Sequence, residues 1–346
     1  MGNSEKTSTD KLKKITLNDI AMKTGVSAMT VSRVVSGKGI VAETTRKKIH
    51  KTIEQMDYRP NLIARILSSQ RTMTIGVIIP KVKQVFLDNY IAQILSGVMT
   101  VVKQQDYRLM IYPIEEYEKS SNLYLDIARS KLLDGLIMLK PRINDPNLES
   151  LIDSGFPSVL INHRTVDQRV NFIDTKNIEG AEIAVNYLFE KGCRNIAFIS
   201  GSKEESNGID RLNGYKKAMN RLGLMLNPIW IIEANFDAGR AYRAVDCLLN
   251  GPTVPDAIFC ADDYMAIAVM ERLNECEIVV PDDIAVIGFN NIDIANYTRP
   301  ALTTIKQPLL MIGKLAAESL IELIEHNCKP PIQKLLDLQL IVRESA

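Results

Sequence analysis

Arg33 carries a guanidinium fork that can donate to O6 and N7 of one guanine together, and it follows Ala28 and Met29, which can offer a base only apolar contact. In a helix opened by Ser27, the residues Ala28, Met29, Ser32 and Arg33 share one face while Val31, Val34 and Val35 share the other. That outer face suits base edges in a major groove, although the same pattern also serves a packing module with no ligand. Leu67 lies near the end of a short segment opened by Pro60 and Asn61, and an apolar wedge of this kind can kink DNA at a minor-groove step. A plain tether with an incidental leucine is the alternative there. Catalytic signatures are missing: no G-x-G-x-x-G follows a strand, and neither a Walker loop nor a G-x-S-x-G elbow occurs. The five cysteines (Cys193, Cys247, Cys260, Cys276, Cys328) are scattered without a C-x-x-C pair and read as reduced packing residues, so no metal or cofactor is expected. Of the three histidines, His50 lies in a basic segment, His326 ends a late helix, and only His163 stands near a predicted strand tip. A single histidine there is more often a packing or hydrogen-bonding residue than a catalyst.

The elements that must hold the Arg33 face are legible locally. Thr16 and Asp19 have the spacing of a capping box, with Asp in place of Glu, and Leu17, Ile20 and Ala21 then give a short helix its apolar side. Gly25 ends it, Ser27 caps the next, and small Ala21 with Gly25 allows the close crossing of a helix-turn-helix. A third amphipathic run, TTRKKIHKTIEQM, turns Ile49, Ile53 and Met56 inward. Residues 1–72 hold 14 Lys or Arg against 6 Asp or Glu, a net charge of +8, and leave 28 against 35 for the remainder. A basic block of that kind is either a solvated arm or a nucleic-acid surface, and the Arg33 face decides for nucleic acid.

At 346 residues, 46% hydrophobic and 24% charged, the chain is long enough for two or three globular units. Eight short apolar runs (TIGVIIP, RLMIYPI, GLIMLK, SVLINH, NIAFISGS, IWIIEA, AIFCADD, IAVIGFNN) alternate with longer amphipathic segments, the pattern of parallel sheets wrapped by helices. Two successive sets predict two α/β lobes. Ligands of open parallel sheets sit beyond the carboxyl ends of the strands, which nominates Asn162, His163, Ser200, Asp262 and Asn290. No apolar run approaches the roughly 20 residues of a membrane span, and the polar opening MGNSEKTSTDKLKK has neither a secretion signal nor, with Lys6, a myristoylation site. A cytoplasmic address without membrane attachment is expected.

From Ile15 to Pro80 the motifs TLNDIAMKTGVSAMTVSRVVSG, YRPNLIARIL and TIGVIIP stand in an order that resembles the head of the LacI/GalR family of transcriptional regulators. The resemblance continues through GCRNIAFISGS, DRLNGY, AIFCADDYMAIA, VPDDIAVIGFNN and RPALTTIKQP over nearly the whole chain. It implies a DNA-binding repressor of carbohydrate-related genes, not an enzyme. The expected architecture is α/β: a helix-turn-helix head (1–60), a hinge helix and linker (61–72), and a two-lobed parallel-sheet core (73–346) similar to periplasmic sugar-binding proteins. For DNA it implies Thr16, Ser27, Ala28, Met29, Thr30, Ser32 and Arg33 in the head, with Asn61, Ala64 and Leu67 in the hinge. For a small effector it implies Arg211 as a guanidinium fork and Phe236 and Phe86 as ring faces, beside Asn162, His163, Asp262 and Asn290.

The departures from the family pattern bear on the effector. Relatives usually have Asp at the positions of Asn162 and Asn290, Asn where this chain has Asp262, and Asn-Pro where it has Gln84-Val85. Two carboxylates are thereby lost and one is restored beside Arg211. An anionic ligand is repelled by such carboxylates at close range, so the expected effector is an acidic or phosphorylated sugar in preference to a neutral one, with Arg211 and His163 meeting its charge. The chain ends on LIVRESA without the leucine-repeat tail by which some relatives form tetramers, so a homodimer on a near-palindromic operator is expected. The alternatives on the same α/β core are a periplasmic sugar-binding protein, which would need an export signal and no basic head, and an enzyme.

Overall fold

In the computed structural model the described residues are 15–35, 39–58, 71–80, 88–114, 122–326 and 331–346, and they fall into two compact units divided at Arg71 and Thr72. Residues 61–70 of the hinge segment and Phe86 lie outside the described residues, as do the assignments made on Asn61, Ala64 and Leu67.

In the first unit, α1 (Leu17–Thr24) opens on the Thr16–Asp19 capping box: each side chain meets the other's backbone amide, at 3.4 and 2.7 Å. It closes on Gly25, whose φ of 68° is the left-handed conformation that costs glycine least. Ser27 Oγ accepts from the Thr30 amide at 3.1 Å and caps α2 (Ala28–Val35), and α3 (Glu43–Gln55) follows. Ile20, Val31, Val34, Ile49 and Tyr58 form the buried centre, with Ile53 and Met56 half-buried around it. Ala28 corrects the sequence reading in part, since it is half-buried against this core and not wholly on the outer face.

The second unit holds two six-stranded sheets. Lobe 1 contains β1 (Thr74–Pro80), β2 (Arg108–Ile114), β3 (Gly135–Leu139), β4 (Ser158–Ile161), β5 (Phe172–Thr175) and β11 (Gln333–Leu336), ordered β11-β5-β4-β3-β1-β2 and parallel throughout. Alternation along β3 divides its core. Ile137 and Leu139 pack with α4 (Asn89–Gln104) and α11 (Leu309–His326). Leu136 and Met138 pack with α5 (Leu123–Arg129) and α6 (Pro146–Asp153) on the other side. Lobe 2 contains β6 (Ile196–Ser200), β7 (Ile231–Glu233), β8 (Ala257–Cys260), β9 (Ala285–Asn290), β10 (Thr303–Lys306) and β12 (Gln339–Ile341), ordered β12-β10-β9-β8-β6-β7. Only β12 runs antiparallel among the described pairs. Its helices are α7 (Asn177–Glu190), α8 (Ser206–Arg221), α9 (Ala238–Leu249) and α10 (Asp263–Glu275), packed around Phe198, Tyr215 and Phe259.

The lobes are not two successive halves, which corrects the expectation from the run order. The chain crosses between them after β5, after β10 and after β11, so that α11 and β11 return to complete lobe 1 and β12 completes lobe 2. Gln307 ties the crossings together. Its Oε1 accepts from the Thr175 hydroxyl at 3.2 Å, and its Nε2 donates to Asn290 Oδ1 at 2.6 Å. The exposed Lys176–Asp337 pair, at 2.6 Å, adds little at a solvated surface.

Candidate functional site

On the head, Met29 is 65% exposed, and Ser32 and Arg33 lie beside it on the outer face of α2. The Arg33 stem runs over Gly39, where a Cβ would stand 3.4 Å from Arg33 Cδ. Thr16, Ser27 and Thr30 spend their hydroxyls on caps: Thr16 donates to Asp19 at 2.8 Å, and the Ser27 and Thr30 hydroxyls are 2.9 Å apart. An apolar thioether next to a guanidinium, held on a helix by a three-helix core, has the chemistry that base edges in a major groove accept.

In the core, the strand-tip rule leads to a cleft between the two lobes. Lys140 follows β3 (φ 48°), Asn162 follows β4 (φ 55°), Asn290 ends β9 (φ 119°), and Phe236 lies just beyond β7 (φ 58°). Non-glycine residues in left-handed backbone cost of order 1 kcal/mol or more and gather where side chains are aimed at ligands. Phe236 packs against Gly201, where a Cβ would meet the ring at 2.1 Å.

Arg211, on α8, is 1% exposed. Its Nε donates to Asn177 Oδ1 at 2.9 Å and its Nη1 to the Ala261 carbonyl at 2.6 Å, while Nη2 is buried with no partner. The guanidinium lies over Phe289 at 3.8 Å and 5.9 Å from the Phe236 centroid. Burial lowers the Arg211 pKa against the pull of Tyr90, Asp262 and Asp174. Asp262 caps α10 by accepting from the Met265 amide at 2.8 Å, and burial pushes its carboxyl up to about 6 although that bond, Lys140 and Arg211 all favour the charged form. Asn162 is fully buried; its amide donates to the Tyr90 hydroxyl, and its Oδ1 is unpartnered.

Three expected site residues have a different office in the fold. His163 is buried with Nδ1 3.2 Å from the Pro141 carbonyl, to which it can donate, and burial lowers its pKa, which disfavours the cationic form expected to meet an anion. Asn290 is engaged by Gln307 at the crossings. Ser200 is buried and donates to the Gly201 carbonyl at 3.3 Å.

Three cleft residues escaped sequence reading. Lys140 Nζ lies 4.5 Å from the Tyr90 centroid and 4.8 Å from that of Phe236. Tyr90 sits at the start of α4, where burial raises its hydroxyl pKa far above the ordinary value. Asp174 ends buried beside the first crossing, its Oδ1 accepting from the Thr175 amide and Asn177 Nδ2 and its Oδ2 unpartnered; burial raises it to about 7. Contacts between the lobes close around these groups. The Asn89 amide donates to the Tyr264 hydroxyl at 3.2 Å and Asn89 Nδ2 to Asp293 at 3.0 Å. Ser206 Oγ donates to the Asn162 carbonyl and accepts from the Arg164 amide, both at 3.1 Å. Among the described residues no cluster could hold a metal ion, and no helix is long and apolar enough to cross a membrane.

Comparison with known proteins gives the family. Residues 16–61 match the model of bacterial regulatory proteins of the lacI family, and residues 185–346 match a periplasmic binding protein-like domain. The HTH-type transcriptional repressor PurR of Vibrio campbellii (strain ATCC BAA-1116) is 33% identical over 314 residues, 90% of this chain and 92% of that protein. Catabolite control protein A of Priestia megaterium is 33% identical over 303 residues, 87% of this chain and 90% of that one. Among solved structures, the lac repressor dimer bound to operator and the anti-inducer ONPF superposes with a TM-score of 0.85 at 25% identity, covering 96% of this chain and 99% of that one. The transcriptional regulator CelR in complex with cellobiose gives 0.75 at 27% identity, covering 96% and 100%. The chain thus belongs to the LacI family and is a DNA-binding transcriptional regulator with an effector-binding core, not an enzyme.

Proposed function

We propose that the protein is a cytoplasmic homodimeric repressor. Residues 1–60 read a near-palindromic operator, 61–72 form the hinge, and 73–346 dimerise and bind an acidic or phosphorylated sugar that sets operator affinity. The observation that carries the effector class is the buried, unpartnered Nη2 of Arg211, a charged donor for which the fold supplies no acceptor. The cellobiose complex of CelR favours a carbohydrate over other small ligands. Asn162 Oδ1 is available to a sugar hydroxyl, Phe236 offers a ring face, and burial raises Asp174 to about 7, which lessens its repulsion of an anion near neutrality. By linkage, operator must change effector affinity by the same factor as effector changes operator affinity.

Calorimetric titration with matched pairs, a hexose against its phosphate, aldonic acid and uronic acid at fixed pH and salt, tests the effector class. The anionic member should bind tighter, and tighter binding of the neutral member in every pair would return neutral sugars to first place. For the head, Arg33→Ala should cost about 1–3 kcal/mol of operator binding and relax preference at one G·C pair per half-site. A uniform loss across operator variants would instead make Arg33 a phosphate contact.

A further inference from the structure

Lys140 stands between two rings of the cleft. It follows β3 in lobe 1, and its Nζ reaches between Tyr90 of lobe 1 and Phe236 of lobe 2. Neighbouring cations at the lobe junction have carboxylates: Arg142 pairs with Glu204 at 3.2 Å and Arg164 with Asp210 at 3.7 Å. Among the described residues Lys140 has no carboxylate within 4.0 Å and no acceptor for its ammonium protons. Ring faces orient a cation without cancelling its charge. Asp262 is close enough to be felt, but one of its oxygens is committed to the α10 cap. Arg211 lies against the same Phe236 ring, its Cζ 5.9 Å from the centroid and its Nη2 unpartnered.

We infer that Lys140 and Arg211 form a two-sided clamp for one anionic group of the effector, Lys140 from lobe 1 and Arg211 from lobe 2, and that Lys140 decides for acidic over neutral sugars. This rests on the proposed effector class and adds a residue that neither strand-tip asparagines nor the motif DRLNGY point to. A carboxylate or phosphate placed there ties the two lobes through a single ligand group.

The full chain is titrated with D-glucose, D-gluconate, D-glucuronate and D-glucose 6-phosphate and the galactose counterparts, as wild type, Lys140→Met and Lys140→Arg. Methionine keeps an apolar stem between the rings and removes the charge; arginine keeps the charge. Wild type should bind at least one anion tighter than its neutral partner, and Lys140→Met should reduce that ratio about tenfold or more while Lys140→Arg retains most of it. The salt dependence of anion binding should also weaken in Lys140→Met. A wild-type ratio preserved in Lys140→Met would reduce Lys140 to a brace between rings and overturn the clamp alone. Wild type that binds no anion tighter than its neutral partner would overturn the effector class and the clamp with it. Thermal melts of both variants show whether a lost ratio reflects the charge or the fold.

Discussion

Arg211→Met should abolish anion binding and destabilise the core by about 3–5 kcal/mol at pH 8, because it leaves buried carboxylates beside an empty guanidinium site. Asp174 and Asp262 are already held up at about 7 and about 6, burial being the larger cause, and Arg211 opposes that rise in both. A carboxyl whose folded pKa lies above its unfolded value, about 4, contributes stability that is present below that value and lost as pH rises through the folded pKa. In the wild type that loss falls between about 4 and about 7, and removing Arg211 extends it upward. The penalty should therefore be large at pH 8 and much smaller at pH 5, where both carboxyls can take up protons. Asp174→Asn, isosteric and neutral, should recover part of it when combined with Arg211→Met, since the two sites share one network. Denaturant titration of the four chains at both pH values measures this. Equal destabilisation at pH 5 and pH 8, with no rescue by Asp174→Asn, would assign the Arg211 contribution to its packing on Phe289 instead of its charge.

Local signals carried most of what could be read from residues alone. The Thr16–Asp19 box, the Gly25 stop and the Ser27 cap are satisfied within a few residues, so they act the same way in a sequence and in a fold. The eight apolar runs all became strands, β1 to β4 and β6 to β9. Four strands were not singled out: Phe172–Thr175, Thr303–Lys306, Gln333–Leu336 and Gln339–Ile341. Each has only three or four residues, and all four carry charges or glutamines, because they stand at sheet margins or crossings where partners, not hydrophobic pattern, decide pairing. Missing them hid the crossings and made the lobes look successive.

The same cause hid part of the cleft. Asp174 belongs to an unread strand, and Tyr90 approaches from a helix start to which the strand-tip rule does not apply. Lys140 was within reach: it directly follows GLIML, and the rule that nominated Asn162 after SVLI nominates it equally. His163 and Asn290 were nominated by position, yet their partners, Pro141 and Gln307, lie 22 and 17 residues away, and position alone cannot show which way a side chain is committed.

Gly97→Ala should lower core stability by about 3 kcal/mol, at the upper end of overpacking costs. Helices α4 and α11 meet backbone to backbone: a Cβ on Gly97 would stand 2.1 Å from the Leu310 carbonyl oxygen, and one on Gly313 2.0 Å from that of Ile94. Neither oxygen can swing aside as a flexible side chain would, so the helices must part. Parting them opens lobe 1, because Ile312, Ala316 and Leu320 of α11 share a buried cluster with Ile94 and Val98 of α4. The displacement should also reach the cleft. α4 begins at Asn89, which bonds Tyr264 and Asp293 of lobe 2, and its next residue is Tyr90, one of the two rings around Lys140. Gly97→Ala should therefore melt roughly 5–10 °C below wild type and bind effector more weakly at temperatures where it is still folded. Gly251→Ala is the control: the nearest atom to its added Cβ is at 3.4 Å, and it should change stability by no more than about 0.5 kcal/mol. Gly97→Ala with wild-type melting would show that the helices can separate without cost, and weakened melting with unchanged effector affinity would show that α4 does not transmit its position to Asn89 and Tyr90.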